Sequence, residues 1–223
     1  MKGEALRHDF GSGEVAAYRW INADSQEGGI VAESATIADS AFIGHGASIG
    51  PGAIIGDDAS IGDMAVIGYR AFISPGASIG DRASIGYRAR IAAGVSIGDY
   101  ARIGDMAVIG EGAVIGDRAV IGRGARIVLA VINPDASIGE GAVISPGTVI
   151  GYGAIIGDRA VIGEGAVIGD GAVTGYGAII GEGADIGAYA SIGFRASIGP
   201  EAIIGDDAEI EAYARIAQEE ISE

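Results

Sequence analysis

The fold is decided by the stretch Ile109-Gly110-Glu111-Gly112-Ala113-Val114-Ile115-Gly116-Asp117-Arg118-Ala119-Val120-Ile121, which repeats the six-residue unit Ile-Gly-x-x-Ala-x. A large aliphatic residue recurs at this spacing from Val31 to Ile127, and again from Ile138 to Ile216. Repetition at so short a period is typical of a solenoid, which grows by adding coils to one core.

The spacing within the unit predicts how each hexad folds. Residues two apart in a strand point to the same side, so the Ala and the Ile both face inward and the residue between them faces outward. The remaining Gly-x-x cannot continue the alternation and is predicted to form a corner, with Gly supplying backbone freedom and close approach. Only Val31 and Thr174 replace Ile in its slot, and Val95 and Thr148 replace Ala.

Strands this short cannot bury their apolar side alone, so the coils are expected to stack into a parallel β-helix. The unit Ile115-Gly116-Asp117-Arg118-Ala119-Val120 resembles the hexapeptide-repeat superfamily of acyltransferase-like proteins, and the resemblance covers about four-fifths of the chain. It implies an all-β, left-handed parallel β-helix, a triangular solenoid with three hexads per coil and about 10 to 11 coils.

The pattern divides the chain into three parts. Residues 1–30 precede the repeat and contain Phe10, Tyr18 and Trp20, so they are predicted to cap the first coil, whose edge would otherwise be unpaired. A binding element built on Trp20 is the alternative. Residues 31–216 are the predicted β-helix, and 217–223 form a short acidic tail. Asn22-Ala23-Asp24-Ser25 is interpreted as a turn.

The six-residue spacing fails once, because eleven residues separate Ile127 from Ile138. Ala130 and Ile132 keep the inward spacing, so one corner loses a residue together with its Gly. A tightened corner is the simpler interpretation, and a functional kink that recruits a ligand is the alternative.

Composition narrows the possible classes of function. The 223-residue chain has a net charge of −16 and no Cys, which disfavours a nucleic-acid partner and excludes disulfides and thiolate chemistry. No apolar run approaches the roughly 20 residues that span a membrane, and no signal peptide is evident, so a cytoplasmic protein without membrane contact is expected. The acidic, Lys-poor composition fits a salt-adapted source or simply a solubilising surface. The cap followed by an uninterrupted solenoid also resembles hexapeptide proteins of bacteria and their phages, which implies a phage source as an alternative. No cofactor is predicted.

Members of this superfamily that are acyltransferases use a catalytic His, usually beside an inserted loop, in trimers. The sequence has two His, of which His8 precedes the repeat and His45 occupies a corner. His45 is thus the one candidate for a general base, although the pattern favours a solvated corner residue. The γ-class carbonic anhydrases, a second group of relatives, bind zinc through three His, and two His disfavour such a site here.

Stacking brings residues that lie one coil apart into columns. One corner column is acidic and is either a solvated ladder or a weak cation site: Asp63, Asp81, Asp99 and Asp117. Two aromatic pairs are expected to stack: Tyr69 with Tyr87, and Tyr176 with Phe194. The Arg70–Arg88 column beside the first pair is a candidate for attracting an anion.

The outward slots turn aliphatic along the second half of the chain, which predicts a homo-oligomer that packs through flat apolar faces. The candidate interface residues are Val143, Val149, Ile155, Val161, Val167, Val173 and Ile179. These observations together favour a non-enzymatic structural, scaffold or self-assembly protein. The alternatives are an acyltransferase-like enzyme that uses His45 and a solenoid that binds cations weakly through its carboxylate columns.

Overall fold

The computed structural model describes residues 1–11 and 13–217 in full and the backbone of 220–221. The chain forms two compact units, Met1–Glu111 and Gly112–Glu223. Throughout the described residues the secondary structure is β, without a helix. The prediction of an all-β, left-handed parallel β-helix is confirmed. Of the predicted acidic tail at 217–223, residues 218–219 and 222–223 lie outside the described residues.

The first unit begins with three longer strands, β1 Lys2–Asp9, β2 Glu14–Ile21 and β3 Glu27–Ala32. Its two-residue strands are β4 Thr36–Ile37, β5 Phe42–Ile43, β6 Ser48–Ile49, β7 Ile54–Ile55, β8 Ser60–Ile61, β9 Val66–Ile67, β10 Phe72–Ile73, β11 Ser78–Ile79, β12 Ser84–Ile85, β13 Arg90–Ile91, β14 Ser96–Ile97, β15 Arg102–Ile103 and β16 Val108–Ile109.

The second unit contains β17 Val114–Ile115, β18 Val120–Ile121, β19 Arg126–Ile127, β20 Val131–Ile132, β21 Ser137–Ile138, β22 Val143–Ile144, β23 Val149–Ile150, β24 Ile155–Ile156, β25 Val161–Ile162, β26 Val167–Ile168, β27 Val173–Thr174, β28 Ile179–Ile180, β29 Asp185–Ile186, β30 Ser191–Ile192, β31 Ser197–Ile198, β32 Ile203–Ile204, β33 Glu209–Ile210, β34 Arg215–Ile216 and β35 Glu220–Ile221.

Each unit has three sheets, and every short strand pairs in parallel with the strand three places along. In the first unit, sheet A runs β1-β2-β3-β6-β9-β12-β15, sheet B β4-β7-β10-β13-β16 and sheet C β5-β8-β11-β14. In the second, sheet D runs from β18 to β33, sheet E from β19 to β34 and sheet F from β17 to β35, each in steps of three. Ile73 faces Ile91 in the register, so three hexads close one coil as expected.

The core follows the predicted alternation. Ala71 and Ile73 are buried, whereas Phe72 between them is exposed, and the same pattern recurs along both units. Each buried Ile removes an aliphatic side chain from water, which stabilises the fold by about 1.5–3 kcal/mol per residue. The buried Thr148 satisfies its hydroxyl by donating to the carbonyl oxygen of Ser145 at 2.8 Å.

The sequence predicts that one Gly in each corner supplies both close approach and backbone freedom. In the structure, two different residues of the corner meet these two requirements. The repeat Gly supplies close approach: a Cβ on Gly80 would lie 2.5 Å from the carbonyl carbon of Gly98 one coil away. The left-handed backbone falls two positions later, where Arg82 has φ 56°. The corner position that requires a positive φ is therefore often occupied by a residue other than glycine. Each such residue carries a backbone strain of about 1–2 kcal/mol.

The eleven-residue interval tightens one corner of the second unit. Val131 faces Val114, one residue short of the usual coil, and then pairs with Val149 at the normal spacing. Leu129 forms the tightened corner with φ 46°, and its carbonyl oxygen accepts a hydrogen bond from Gly147 N–H at 2.8 Å. The next coil along the chain thus keeps its backbone hydrogen bonds, although this corner is one residue shorter.

The first three strands form an antiparallel extension of sheet A, in which β1 pairs with β2, and β2 with β3. Tyr18 and Trp20 of β2 are buried, and Phe10 is half-buried with an edge contact to His8. Burial raises the pKa of the Tyr18 phenol, and the nearby Glu33 carboxylate raises it further.

Asn22 covers the edge of sheet C at β5, the terminal strand of that sheet. Its side-chain Nδ2 donates to the carbonyl oxygen of Ile43 at 2.9 Å, and its Oδ1 accepts the Ile43 N–H at 2.9 Å. The same Oδ1 accepts the indole N–H of Trp20 at 3.1 Å. One buried amide thus replaces the strand that would otherwise precede β5.

Candidate functional site

The corners between sheets C and A hold the one imidazole of the repeat. A cavity of about 380 Å³ opens at these corners, and we name it the His45 pocket. Its lining residues are His45, Asp63, Met64, Asp81, Arg82, Asp99 and Tyr100. Because His45 lies on the second residue of a tight corner, its side chain is exposed at the rim of the pocket.

Carboxylates in this pocket are engaged with the backbone of the neighbouring coil. Asp63 Oδ1 accepts the His45 N–H at 2.7 Å, Asp81 Oδ1 accepts the Asp63 N–H at 2.8 Å, and Asp99 Oδ1 accepts the Asp81 N–H at 2.8 Å. The column is therefore a ladder that satisfies corner amides, as charge-assisted hydrogen bonds to anionic acceptors do well. Asp117, the fourth member predicted from sequence, belongs to the second unit.

The acidic ladder is also the column that the sequence offers as a weak cation site. Within the residues that the structure describes, no group of three or more His, Cys, Asp or Glu side chains is arranged to hold a metal ion. One oxygen of each of the three carboxylates is already committed to a backbone amide. Weak cation binding at this acidic column stays a prediction.

Arg82 and Tyr100 contribute further polar groups to the lining of the His45 pocket. Arg82 Nη1 donates to the Tyr100 hydroxyl at 3.1 Å, and the guanidinium carbon lies 5.5 Å from the ring centroid. The pocket thus combines an exposed imidazole, a fixed cation and a phenol. This set can accept a proton, hold an anionic group and donate a hydrogen bond.

A second concavity lies along the outer side of sheet B, and we name it groove B. It has a volume of about 700 Å³, and its floor follows the outward row Ile54, Phe72, Arg90 and Val108. The rim includes Arg70. Groove B and the His45 pocket have no lining residue in common.

The aromatic columns stack as the register predicts. The rings of Tyr69 and Tyr87 are 5.7 Å apart and within 7° of parallel, and those of Tyr176 and Phe194 are 5.5 Å apart. Arg70 lies 5.0 Å from the Tyr69 ring centroid. Such contacts add roughly 0.5–1.5 kcal/mol each and rigidify the corners.

The second unit has a polar cluster beside the tightened coil. Arg118 Nε and Nη2 donate to the two oxygens of Asp135 at 2.6 and 2.7 Å. These bonds, with a hydrogen bond from Tyr152, lower the pKa of Asp135 to about 2, and they raise the pKa of Arg118. The Asp135 carboxylate raises the pKa of the Tyr152 phenol. The cluster braces successive corners.

The predicted interface residues do not share one face. Because consecutive hexads fall on consecutive sheets, Ile155 and Val173 lie on sheet D. Sheet E carries Val143, Val161 and Ile179, and sheet F carries Val149 and Val167. The longest aliphatic row is on sheet F. There Val114 and Val131 lie in the same row as Val149 and Val167, each facing the next residue across paired strands.

Two features of function or stability escaped the sequence argument. The sequence predicts Asn22 to be part of a turn, and nothing local reveals that its side chain pairs with Ile43. Groove B follows from the three-hexad register, which places Ile54, Phe72 and Arg90 in one row. Counting outward residues in steps of 18 would have found it.

The repeat is matched by a family model described as bacterial transferase hexapeptide (six repeats), over residues 34–69, 76–111, 94–128 and 135–170. These ranges cover more than half of the chain. The chain belongs to this hexapeptide-repeat family. Residues 59–87 also match a model described as the hexapeptide repeat of succinyl-transferase. No curated protein matches the sequence.

Solved structures resemble the chain over most of its length. The UDP-N-acetylglucosamine O-acyltransferase (LpxA) of Moraxella catarrhalis is 25% identical with a TM-score of 0.69, over 72% of this chain and 70% of that one. The LpxA of Bacteroides fragilis is 21% identical with a TM-score of 0.50, over 78% and 70%, and supports the fold alone.

These findings contradict the expectation of a non-enzymatic structural, scaffold or self-assembly protein, which is wrong. The expectation rested on the scarcity of His and on the hexads from Val31 to Ile127, which no inserted loop interrupts. It assumed that a catalytic site requires an inserted loop. The structural likeness to an acyltransferase instead extends over 72% of the chain. The findings favour an acyltransferase-like enzyme. Separately, the described residues include no helix long and apolar enough to cross a membrane.

Proposed function

We propose that this protein is an acyltransferase-like enzyme whose reaction takes place at the His45 pocket. The observation that carries the proposal is the likeness to an O-acyltransferase with a TM-score of 0.69. The match of residues 59–87 to a succinyl-transferase repeat supports it, because this segment contributes Asp63, Met64, Asp81 and Arg82 to the pocket.

The proposed chemistry is transfer of an acyl group from a thioester to a hydroxyl. The His45 imidazole accepts the hydroxyl proton as the oxygen forms a bond to the thioester carbonyl carbon. The carbon–sulfur bond then breaks, and the leaving sulfur takes the proton from the imidazolium. Arg82 is positioned to hold an anionic part of either substrate, because its side chain lines the pocket and its guanidinium donates to the Tyr100 hydroxyl there.

The acceptor class proposed first is a nucleotide-linked amino sugar, since the relative with the higher TM-score acts on UDP-N-acetylglucosamine by its description. The test incubates the full chain with acyl-CoA thioesters and UDP-N-acetylglucosamine. Free thiol is followed by a colorimetric reagent, and the O-acyl product by mass spectrometry. We expect equal amounts of thiol and acylated sugar.

Substitutions then assign the base. His45→Ala is expected to lower the turnover rate about 10²–10⁴-fold with little change in thermal stability, because the side chain is exposed. His8→Ala is the matched control and should leave the rate unchanged, since His8 lies on β1 outside the pocket. Full activity of His45→Ala would remove this residue from the mechanism, and absence of transfer from every thioester would reject the proposal.

Self-association through the aliphatic rows stays a prediction. The row on sheet F, from Val114 to Val167, is the longest surface of this kind in the second unit. Replacing Val131 and Val149 by Thr would keep the strand propensity and remove apolar contact area. Light scattering should show a smaller mass for this variant than for the natural chain; a monomeric natural chain at all concentrations would reject the prediction.

A further inference from the structure

Groove B has the dimensions and the floor of a small-molecule site. Its volume of about 700 Å³ falls within the range of roughly 300–1,000 Å³ that ligand pockets occupy. Ile54 and Phe72 are 42% and 41% exposed on its floor, although both are large apolar side chains. An apolar floor that strand pairing holds rigid is available to a ligand without rearrangement.

The same surface concentrates positive charge. Arg70 and Arg90 line groove B, and together with Arg88 they line an adjoining cavity of about 550 Å³. In the part of the chain that the structure describes, none of the three is within ion-pair distance of a carboxylate. This is unexpected in a chain that has 30 acidic and 14 basic residues, where each Arg has many possible partners.

The aromatic column holds two of these arginines in place. Arg70 lies 5.0 Å from the ring centroid of Tyr69, and Arg88 lies 5.1 Å from that of Tyr87. The two rings are stacked, so the two guanidinium groups are held one coil apart with like charges. An anion that contacts both guanidinium groups reduces the repulsion between them. Because the aromatic rings already hold these donors in place, the entropic cost of binding is lower.

We propose that groove B binds a water-soluble phosphate ester that carries an apolar group. The phosphate would contact the guanidinium groups of Arg70, Arg88 and Arg90, whose planar fork of donors matches its oxygens. The apolar group would cover Ile54 and Phe72. A multiply charged phosphate suits three cations better than a monovalent carboxylate does.

A soluble ester is favoured over a lipid headgroup in a membrane. The net charge of −16 repels an anionic bilayer, whereas a small ligand reaches the local cluster within a screening length of about 8 Å. The inference does not depend on acyl transfer at His45, because the two sites share no lining residue.

The test is calorimetric titration of the full chain with hexyl phosphate, methyl phosphate and hexanol, below micelle-forming concentrations. Hexyl phosphate should bind at least about tenfold more tightly than methyl phosphate. Each buried methylene raises the affinity roughly fourfold, so burial of two methylenes is enough for this difference. Hexanol should not bind measurably. Added salt should weaken both phosphates, because the contacts are charged and exposed.

Substitutions separate the two halves of the site. Arg88→Gln should weaken both phosphates about tenfold, the cost of one charge-assisted contact. Phe72→Ser should weaken hexyl phosphate and leave methyl phosphate unchanged. Arg102→Gln is the matched control, because Arg102 is also an exposed outward residue but lies on sheet A. It makes the same change in net charge and should leave both affinities unchanged.

Three outcomes would overturn the inference. The first is absence of saturable binding of hexyl phosphate at millimolar concentrations. The second is equal weakening by Arg102→Gln and Arg88→Gln, which would reduce the effect to net charge. The third is binding to phosphatidic acid vesicles without binding to soluble hexyl phosphate, which would identify a membrane surface as the partner. Thermal unfolding of each variant confirms that loss of binding is not loss of fold.

Discussion

Replacing Asn22 by Ala should open the first coil of the repeat. The buried amide makes two hydrogen bonds with Ile43 and accepts a third from the indole of Trp20. Each such bond contributes about 1 kcal/mol net, and the Ile43 N–H and C=O would be left without a partner at a buried edge. The variant is therefore expected to lose about 3 kcal/mol of local stability.

Hydrogen exchange is the appropriate assay, because a solenoid can fray at one end without unfolding as a whole. The Ile43 amide should lose about a hundredfold in protection in Asn22→Ala, the factor that corresponds to about 3 kcal/mol. Amides at the centre of the unit, such as that of Phe72, which donates to Ala89 at 2.9 Å, should change little.

Asp24→Ala is the matched control in the same turn. Asp24 Oδ1 accepts one exposed hydrogen bond, from the Gln26 N–H at 3.0 Å, so its loss should cost less than about 1 kcal/mol. If Asn22→Ala and Asp24→Ala reduced the protection of Ile43 equally, the edge-capping role of Asn22 would be refuted.

Three further predictions concern the coil. Gly80→Ala should destabilise the fold by about 3 kcal/mol or more, because the new Cβ would lie 2.5 Å from the backbone of Gly98. Gly76→Ala is the control and should cost only about 1–2 kcal/mol, because its Cβ would meet open space and only the φ of 67° is unfavourable. Equal melting temperatures of the two variants would contradict this prediction. The folded-state pKa of Asp135 is lowered from 3.8 to about 2, so its contribution is complete above pH 4 and is lost as the pH falls towards 2. The melting temperatures of the natural chain and Asp135→Asn should therefore converge over that range, and a constant gap would argue against the linkage. Thr174→Val should stabilise by about 1 kcal/mol, as chemical denaturation can measure, because the buried hydroxyl has only a 3.4 Å contact; a loss of stability would show that this bond matters.

Within the coil, the sequence was sufficient wherever one residue type answers one local requirement. The Ala-x-Ile spacing predicts which side chains are buried, and Ala71 and Ile73 are both inaccessible. The dropped residue after Ile127 predicts a tightened corner, which Leu129 forms. These features depend on strand alternation and on chain length, and both can be counted along the sequence.

The site was less accessible from sequence. His45 and the acidic column were identified, but the backbone bonds that engage Asp63 and Asp81 were not, because they join residues one coil apart. The hexads from Val31 to Ile127 contain no inserted loop, and this absence does not argue against catalysis. Likeness in structure to an acyltransferase corrected the expectation of a non-enzymatic protein, since it compares the whole coil and not one motif.

The sequence alone determined the period, the inward and outward slots, and membership of a repeat architecture, because these are consequences of spacing. Only the tertiary structure decided which outward residues share a face and which polar groups find each other. The row Ile54, Phe72 and Arg90 exists because three hexads close a coil, and the pairing of Asn22 with Ile43 exists because the first strands fold back over that coil. Both are contacts between residues distant along the chain, and no local pattern encodes them.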